Sequence, residues 1–225
     1  MNKTAVLIVF SYVILAVSCR THDKVIFSPD HHYWEEQRTT AEQNEIILTQ
    51  NTDMPEWLDL YLAGGIFEIE RAYRYQGQYV FVGSNRGNNF NALQKWAEGF
   101  TVEQDFPQLA ALRIENRMIL GASLYPDDEY GGYFEALIKE AFNTQYPGAV
   151  KEETYWIRTK TANSGNGENI TSAEQYEFFV FLSIEKELLR DTINFLLLNV
   201  YSRTELTRNQ KAAITYIQQN FFEGF

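Results

Sequence analysis

Apolar and polar positions alternate along this chain with two different periods, and the changes of period divide it into elements. Asp53-Met54-Pro55-Glu56 has the form of a helix start, with Asp53 as N-cap, Pro55 in the first turn and Glu56 closing a capping box. That helix carries Trp57, Leu58 and Tyr61 and stops at Gly64-Gly65. From Ile66 the period becomes two: Phe67, Ile69, Tyr73 and Tyr75 fall on one face, and Glu68, Glu70 and Arg74 on the other. A turn at Gln76-Gly77 would lead this strand into Tyr79–Gly83, forming a hairpin. Ser84–Asn89 is turn chemistry, followed by a helix near Asn91–Phe100 with Leu93, Trp96, Ala97 and Phe100 on one side.

A second helix is expected from Asp105, with Pro107 in its first turn and Gln108 three residues on. Phe106, Ala110, Ile114 and Met118 recur along it every four residues. Tyr125–Gly132 reads as a loop, and Phe134, Leu137, Ile138, Ala141 and Phe142 repeat at helical spacing until Pro147-Gly148. Glu152–Thr161 reads as a strand and Ala162–Ala173 as a Gly-, Asn- and Ser-rich loop. Tyr176–Ile184 is apolar at both odd and even positions, which suits a strand covered on both faces. Leu189, Ile193, Leu196, Leu197 and Val200 mark another helix, and Thr207 with Gln210 caps a last one carrying Ile214, Ile217 and Phe221. Roughly four strands and five or six helices in mixed order predict an α+β domain over residues 53–225, with helices packed on an antiparallel sheet.

The N-terminus has a different pattern. One charge at Lys3 precedes an apolar run from Thr4 to Leu15, and Ala16-Val17-Ser18-Cys19 follows. Charged, apolar and small-residue regions in that order are the parts of a secretory signal. Thr4–Ser18 is 15 residues, short of the roughly 20 that cross a bilayer. Ala16 and Ser18 also fit an ordinary small-x-small cleavage site, whereas Cys19 favours another end. The tetrapeptide resembles the lipobox of bacterial lipoproteins, a resemblance that implies lipidation of the Cys19 thiol and acylation of the new N-terminus. Arg20-Thr21 stands where an aspartate would signal inner-membrane retention, so the resemblance points to the outer membrane. On this reading residues 1–18 are the signal peptide and 19–52 a lipid-anchored polar tether, with a helical stretch through Trp34–Ile47.

Composition narrows the chemistry. Removal of residues 1–18 takes away Lys3 and no acid, so the net charge moves from −11 to −12. That balance speaks against nucleic acid, which proteins grip through Lys and Arg on phosphates, and against a polybasic hold on anionic lipid. Cys19 is the one cysteine, so the domain holds neither a disulfide nor a catalytic thiol. His22, His31 and His32 all precede the domain, which excludes from it a Ser-His-Asp triad, a histidine zinc site and a histidine general base. Most of the 16 Phe, 14 Tyr and 4 Trp must be core, though so many Tyr suggest that some form a recognition surface.

Candidate chemistry beyond Cys19 is sparse. Asp127-Asp128-Glu129 is an acidic loop with oxygens enough for a hard cation, but its spacing does not match a calcium-binding loop, so no metal is assigned. Ser84-Asn85-Arg86-Gly87-Asn88-Asn89 lacks the glycines and lysine of a phosphate-binding loop and reads as a connection. No catalytic residue and no cofactor emerges. Pro55-Glu56-Trp57, Tyr79–Gly83, Ala92 and Ala97, Tyr155-Trp156-Ile157 and Tyr176–Leu188, in that order, resemble the twenty-kilodalton outer-membrane lipoprotein family. That family is in turn similar to the N-terminal domain of flagellar T-ring proteins, and the resemblance implies a small α+β domain of structural or binding role. The expectation is a non-catalytic envelope lipoprotein that meets the membrane through its lipid and another envelope protein or glycan through its domain. A carboxylate-based enzyme acting on envelope glycans and a small-ligand carrier are the alternatives.

Overall fold

The protein is described by a computed structural model over residues 44–122, 131–161, 173–219, 221–222 and 225. Four strands, β1 (Asn44–Thr49), β2 (Gln78–Gly87), β3 (Val150–Thr161) and β4 (Ala173–Glu185), form one sheet in the order β1-β3-β4-β2, every pair antiparallel. The helices are α1 (Glu56–Gly64), α2 (Ile66–Arg71), α3 (Phe90–Gly99), α4 (Val102–Ala122), α5 (Gly131–Asn143), α6 (Lys186–Arg203) and α7 (Arg208–Gln219), with a 3₁₀ turn at Tyr73–Tyr75. The fold is α+β, as the mixed order of elements predicts.

β4 explains why the sheet is sandwiched. Phe178, Val180, Leu182 and Ile184 enter a large core with α3 to α7, while Phe179 and Phe181 enter a smaller one with α1, α2 and the 3₁₀ turn. On the smaller side Trp57 stacks on Phe181 at 4.8 Å, its indole N–H donating to Glu153 at 2.7 Å. Phe106, Ala110, Ile114 and Met118 are all buried along α4, and Leu189, Ile193, Leu196, Leu197 and Val200 along α6. Thr207 and Gln210 cap α7 reciprocally: each backbone N–H donates to the other's side chain, at 2.7 and 3.3 Å.

Several expectations need correction. Residues 44–49, assigned above to the tether and in part to a helix, form the edge strand β1 beside β3. The expected strand over 66–75 is helical: over so few residues, periods of two and 3.6 select overlapping positions. Here Ile69 is buried, and Glu68 pairs with Arg71 at 2.8 Å one turn on. The first helix begins after Pro55 rather than at Asp53, because the residue before a proline is driven to extended backbone. Gly65, at φ 78°, then separates α1 from α2. α4 begins at Val102, with Thr101 taking the capping role: its hydroxyl accepts from Gln104 N–H at 3.4 Å, and Asp105 accepts its N–H at 2.7 Å. Ser84–Gly87 continues β2, anchored by Arg86 on the buried Glu177 of β4 at 2.8 Å. In α5 the buried stripe is Tyr133, Leu137 and Ala141, leaving Phe142 half exposed. The expected loops at 125–132 and 162–173 lie largely outside the described residues.

The free edge of β2 is closed by side chains. Arg113 of α4 and Glu70 of α2 form a two-pronged ion pair at 2.9 and 3.1 Å, each side chain only 9% exposed. Glu70 also accepts the Val80 N–H at 2.9 Å, and Arg113 donates to the Val80 carbonyl at 3.2 Å. The pair thus stands in for the missing neighbouring strand. The rings of Tyr79, Phe81 and Phe225 lie against the guanidinium, their centroids 4.6 to 5.3 Å away.

Phenols in and against the core add a pH limit. Tyr133 donates to the Leu197 carbonyl at 3.3 Å and accepts from Gln218 at 3.0 Å, and burial lifts its pKa from 10.0 to about 12 against the opposing Gln218 bond. Burial also raises Tyr61, with the Glu177 carboxylate adding to it, and Tyr146. A raised folded-state pKa gives stability that is complete below the unfolded value near 10 and is lost as pH rises through the folded value.

Two measurements check this picture. In urea denaturation Glu70→Ala, which strands a buried guanidinium, should cost about 3–5 kcal/mol, whereas Arg71→Ala, at an exposed pair, should stay within about 0.5 kcal/mol. Between pH 10 and 12 the stability of the wild type should fall, and Tyr133→Phe should fall less steeply over the same interval.

Candidate functional site

The helices of the larger layer lie over β2 and β4 and leave part of β3 beside an open groove. Its volume is about 390 Å³, and its walls come from α3, β3, β4 and the end of β1. Phe90, Ala97, Trp156 and Phe178 supply the apolar lining, and Gln50, Gln94, Glu98, Lys151 and Thr154 the polar lining.

Local structure places each of these groups. The Asn89 side chain accepts the Ala92 N–H at 3.1 Å, starting α3 so that Phe90 faces the sheet. Phe90 meets Trp156, Tyr176 and Phe178 edge-on, with centroids 5.1 to 5.2 Å apart, while Trp156 lies beside Phe178 at 6.3 Å with the two ring planes inclined by 28°. At the other end of α3, Phe100 descends onto β2 at Gly83, where a Cβ atom would stand only 2.7 Å from the Phe100 ring.

A bulge shapes the β3 wall. Lys151 pairs with Leu182, Thr154 with Val180 and Trp156 with Phe178, the register shifting between Lys151 and Glu153. The extra residue brings Lys151 onto the same face as Thr154 and Trp156. The Lys151 ammonium donates to the carbonyls of Ala97 and Phe100 at 2.8 and 3.0 Å, where a cation satisfies the last acceptors of α3 and complements its dipole. Gln94 donates to Glu98 at 2.9 Å, one turn on along the exposed side of α3. The groove therefore offers aromatic rings, amides, a hydroxyl and one carboxylate, with its lysine already engaged. That set suits binding through stacking and hydrogen bonds. An acid and base pair facing one reacting atom is not among it.

A second open cavity, about 490 Å³, lies between α4 and α5 and is lined by Glu115, Glu135, Ile138, Lys139, Phe142 and Asn143. Its lining surface is mostly apolar.

Of the residues singled out from sequence, Cys19 and the acidic loop Asp127, Asp128 and Glu129 lie outside the described residues, as do the three histidines. Among the described residues no three His, Cys, Asp or Glu side chains converge as a metal site. No described helix is long and apolar enough to cross a membrane. The groove itself went unread in the sequence. Gln50, Phe90, Trp156 and Phe178 come from four separate stretches, and only the number of aromatic residues hints that some of them meet on a surface. No family model, no curated protein and no solved structure matches the chain.

The lysine's structural part is separable from ligand binding. Lys151→Met should lower stability by about 2 kcal/mol, the order expected for losing hydrogen bonds from a charged donor. Hydrogen exchange should show that loss concentrated in the last turn of α3.

Proposed function

We propose that this protein is a lipid-anchored component of the bacterial cell envelope that binds another envelope molecule without transforming it. The observation that carries the reading is Ala16-Val17-Ser18-Cys19 at the end of a short apolar run. Acyl chains on Cys19 supply the anchor, since two chains suffice for stable attachment and residues 19–225, of net charge −12, have no electrostatic hold on anionic lipid. Arg20-Thr21 after the cysteine supports the outer membrane as destination.

The groove between α3 and β3 supports the binding half of the proposal. Its rings and amides form a recognition surface, and its charged groups are held by partners inside the fold. The same groove gives no support to a carboxylate-based hydrolase, which needs two carboxyl groups facing across one bond.

Expression in a bacterial host with radiolabelled palmitate tests the anchor. The wild type should label and sediment with membranes, and Cys19→Ala should do neither. Labelling and sedimentation of the variant would overturn the assignment of this N-terminus.

A further inference from the structure

We infer that the groove between α3 and β3 binds a neutral saccharide, with one sugar ring against Trp156 and its hydroxyls on Gln50, Gln94, Glu98 and Thr154. The inference rests on the binding role proposed above and adds the class of ligand.

Shape and preorganisation come first. A groove of about 390 Å³ falls within the range of small-molecule sites. Trp156 is backed by Phe178 and flanked edge-on by Phe90, so its indole is locked before any ligand arrives. A ligand that packs on it therefore forfeits little protein entropy.

Chemistry then selects the ligand. A pyranose presents C–H groups on its faces and hydroxyls around its rim. The C–H face is weakly positive and apolar, which matches the negative face of an indole. The rim needs partners that both donate and accept. Gln50 offers two donors and an acceptor, Gln94 an acceptor and the N–H not given to Glu98, Thr154 a hydroxyl, and Glu98 carboxylate oxygens. The Gln94–Glu98 bond at 2.9 Å holds two of these groups together.

Charge removes the competitors. Lys151, the cation among the lining residues, is committed to the carbonyls of Ala97 and Phe100. A phosphorylated or uronic acid ligand would meet Glu98 and an acidic protein with nothing to offset its charge. A purely apolar ligand would cover Gln50 and Thr154, and the capacity of Gln94 and Glu98 beyond their mutual bond, without pairing them, at about 1–3 kcal/mol for each group left unsatisfied. A neutral polyhydroxylated ring meets both requirements.

The test is calorimetric titration of the full-length protein in a polyoxyethylene detergent, which carries no sugar headgroup. The probes are the neutral tetrasaccharides chitotetraose, cellotetraose and maltotetraose, with tetragalacturonate as the anionic control. At least one neutral probe should bind saturably, with Kd on the order of 0.1–1 mM. Tetragalacturonate should bind at least tenfold more weakly, and Glu98→Gln should narrow that gap. Gln94→Ala, on the exposed side of α3, should weaken neutral binding at least about fivefold, the scale of one hydrogen bond. Trp156→Ala should abolish it. Absence of saturable binding by every neutral probe, or binding that Gln94→Ala leaves unchanged, would overturn the inference. A photocrosslinker placed at Gln94 in living cells separates the two levels of the argument. Capture of an envelope protein without saccharide binding rejects the sugar and leaves the binding role standing. Neither crosslink nor saccharide binding rejects both.

Discussion

The Glu70–Arg113 ion pair lies where three parts of the fold meet. Glu70 belongs to the thin helical layer on one face of the sheet, Arg113 to the thick layer on the other, and Val80 to the strand between them. An exposed sheet edge offers unpaired backbone groups to any passing strand. Here two side chains occupy those groups near the start of β2, and they do so only if both helical layers are docked in register. A buried pair of this kind contributes little net stability against an apolar replacement. Its consequence is geometric: the layers cannot slide without uncovering a charge. The aromatic rings around Arg113, including that of Phe225, cover the clamp.

The rest of the architecture follows from how each strand is covered. β4 lies between β3 and β2 and is apolar on both faces, so helices must sit on each side of it. β3 is nearer the other edge, and its polar positions Thr154 and Lys151 alternate with the buried Tyr155 and Ile157. That half-polar character is why the thick layer ends there and leaves a groove. The proposed binding surface is thus a by-product of incomplete coverage, refined by a bulge and by a glycine that lets α3 settle close to the sheet.

Much of this was legible in the chain and some was not. The buried stripes of α4 and α6 and the doubly covered β4 were readable because long periodic runs leave one answer. The capping box of Thr207 and Gln210 was readable because its chemistry is local. Ile66–Arg71 was misread because six residues cannot distinguish two periods, and its outcome depends on Arg113, 43 positions away from Glu70 in the chain. β1 was missed for a similar reason: Ile46, Ile47 and Leu48 show no alternation, and the strand exists only beside β3. Groove residues from four elements had no common sequence signal. Local chemistry was visible, and long-range partnership was not.

The order of strands in the sheet has a bearing on how the protein is made. Among the described residues, the only pairing between strands adjacent in the sequence is β3 with β4, closed from Thr161 to Ala173. Both outer strands lie earlier in the chain: Thr49 must find Ile157, and Gln78 must find Glu185. Loop closure over such distances is entropically costly until a template exists. A chain emerging from its N-terminus would therefore present β1 and β2 long before the central hairpin that receives them. During that interval Ile46, Ile47 and Leu48 would remain unpaired, a window in which a chaperone would find an apolar segment to hold.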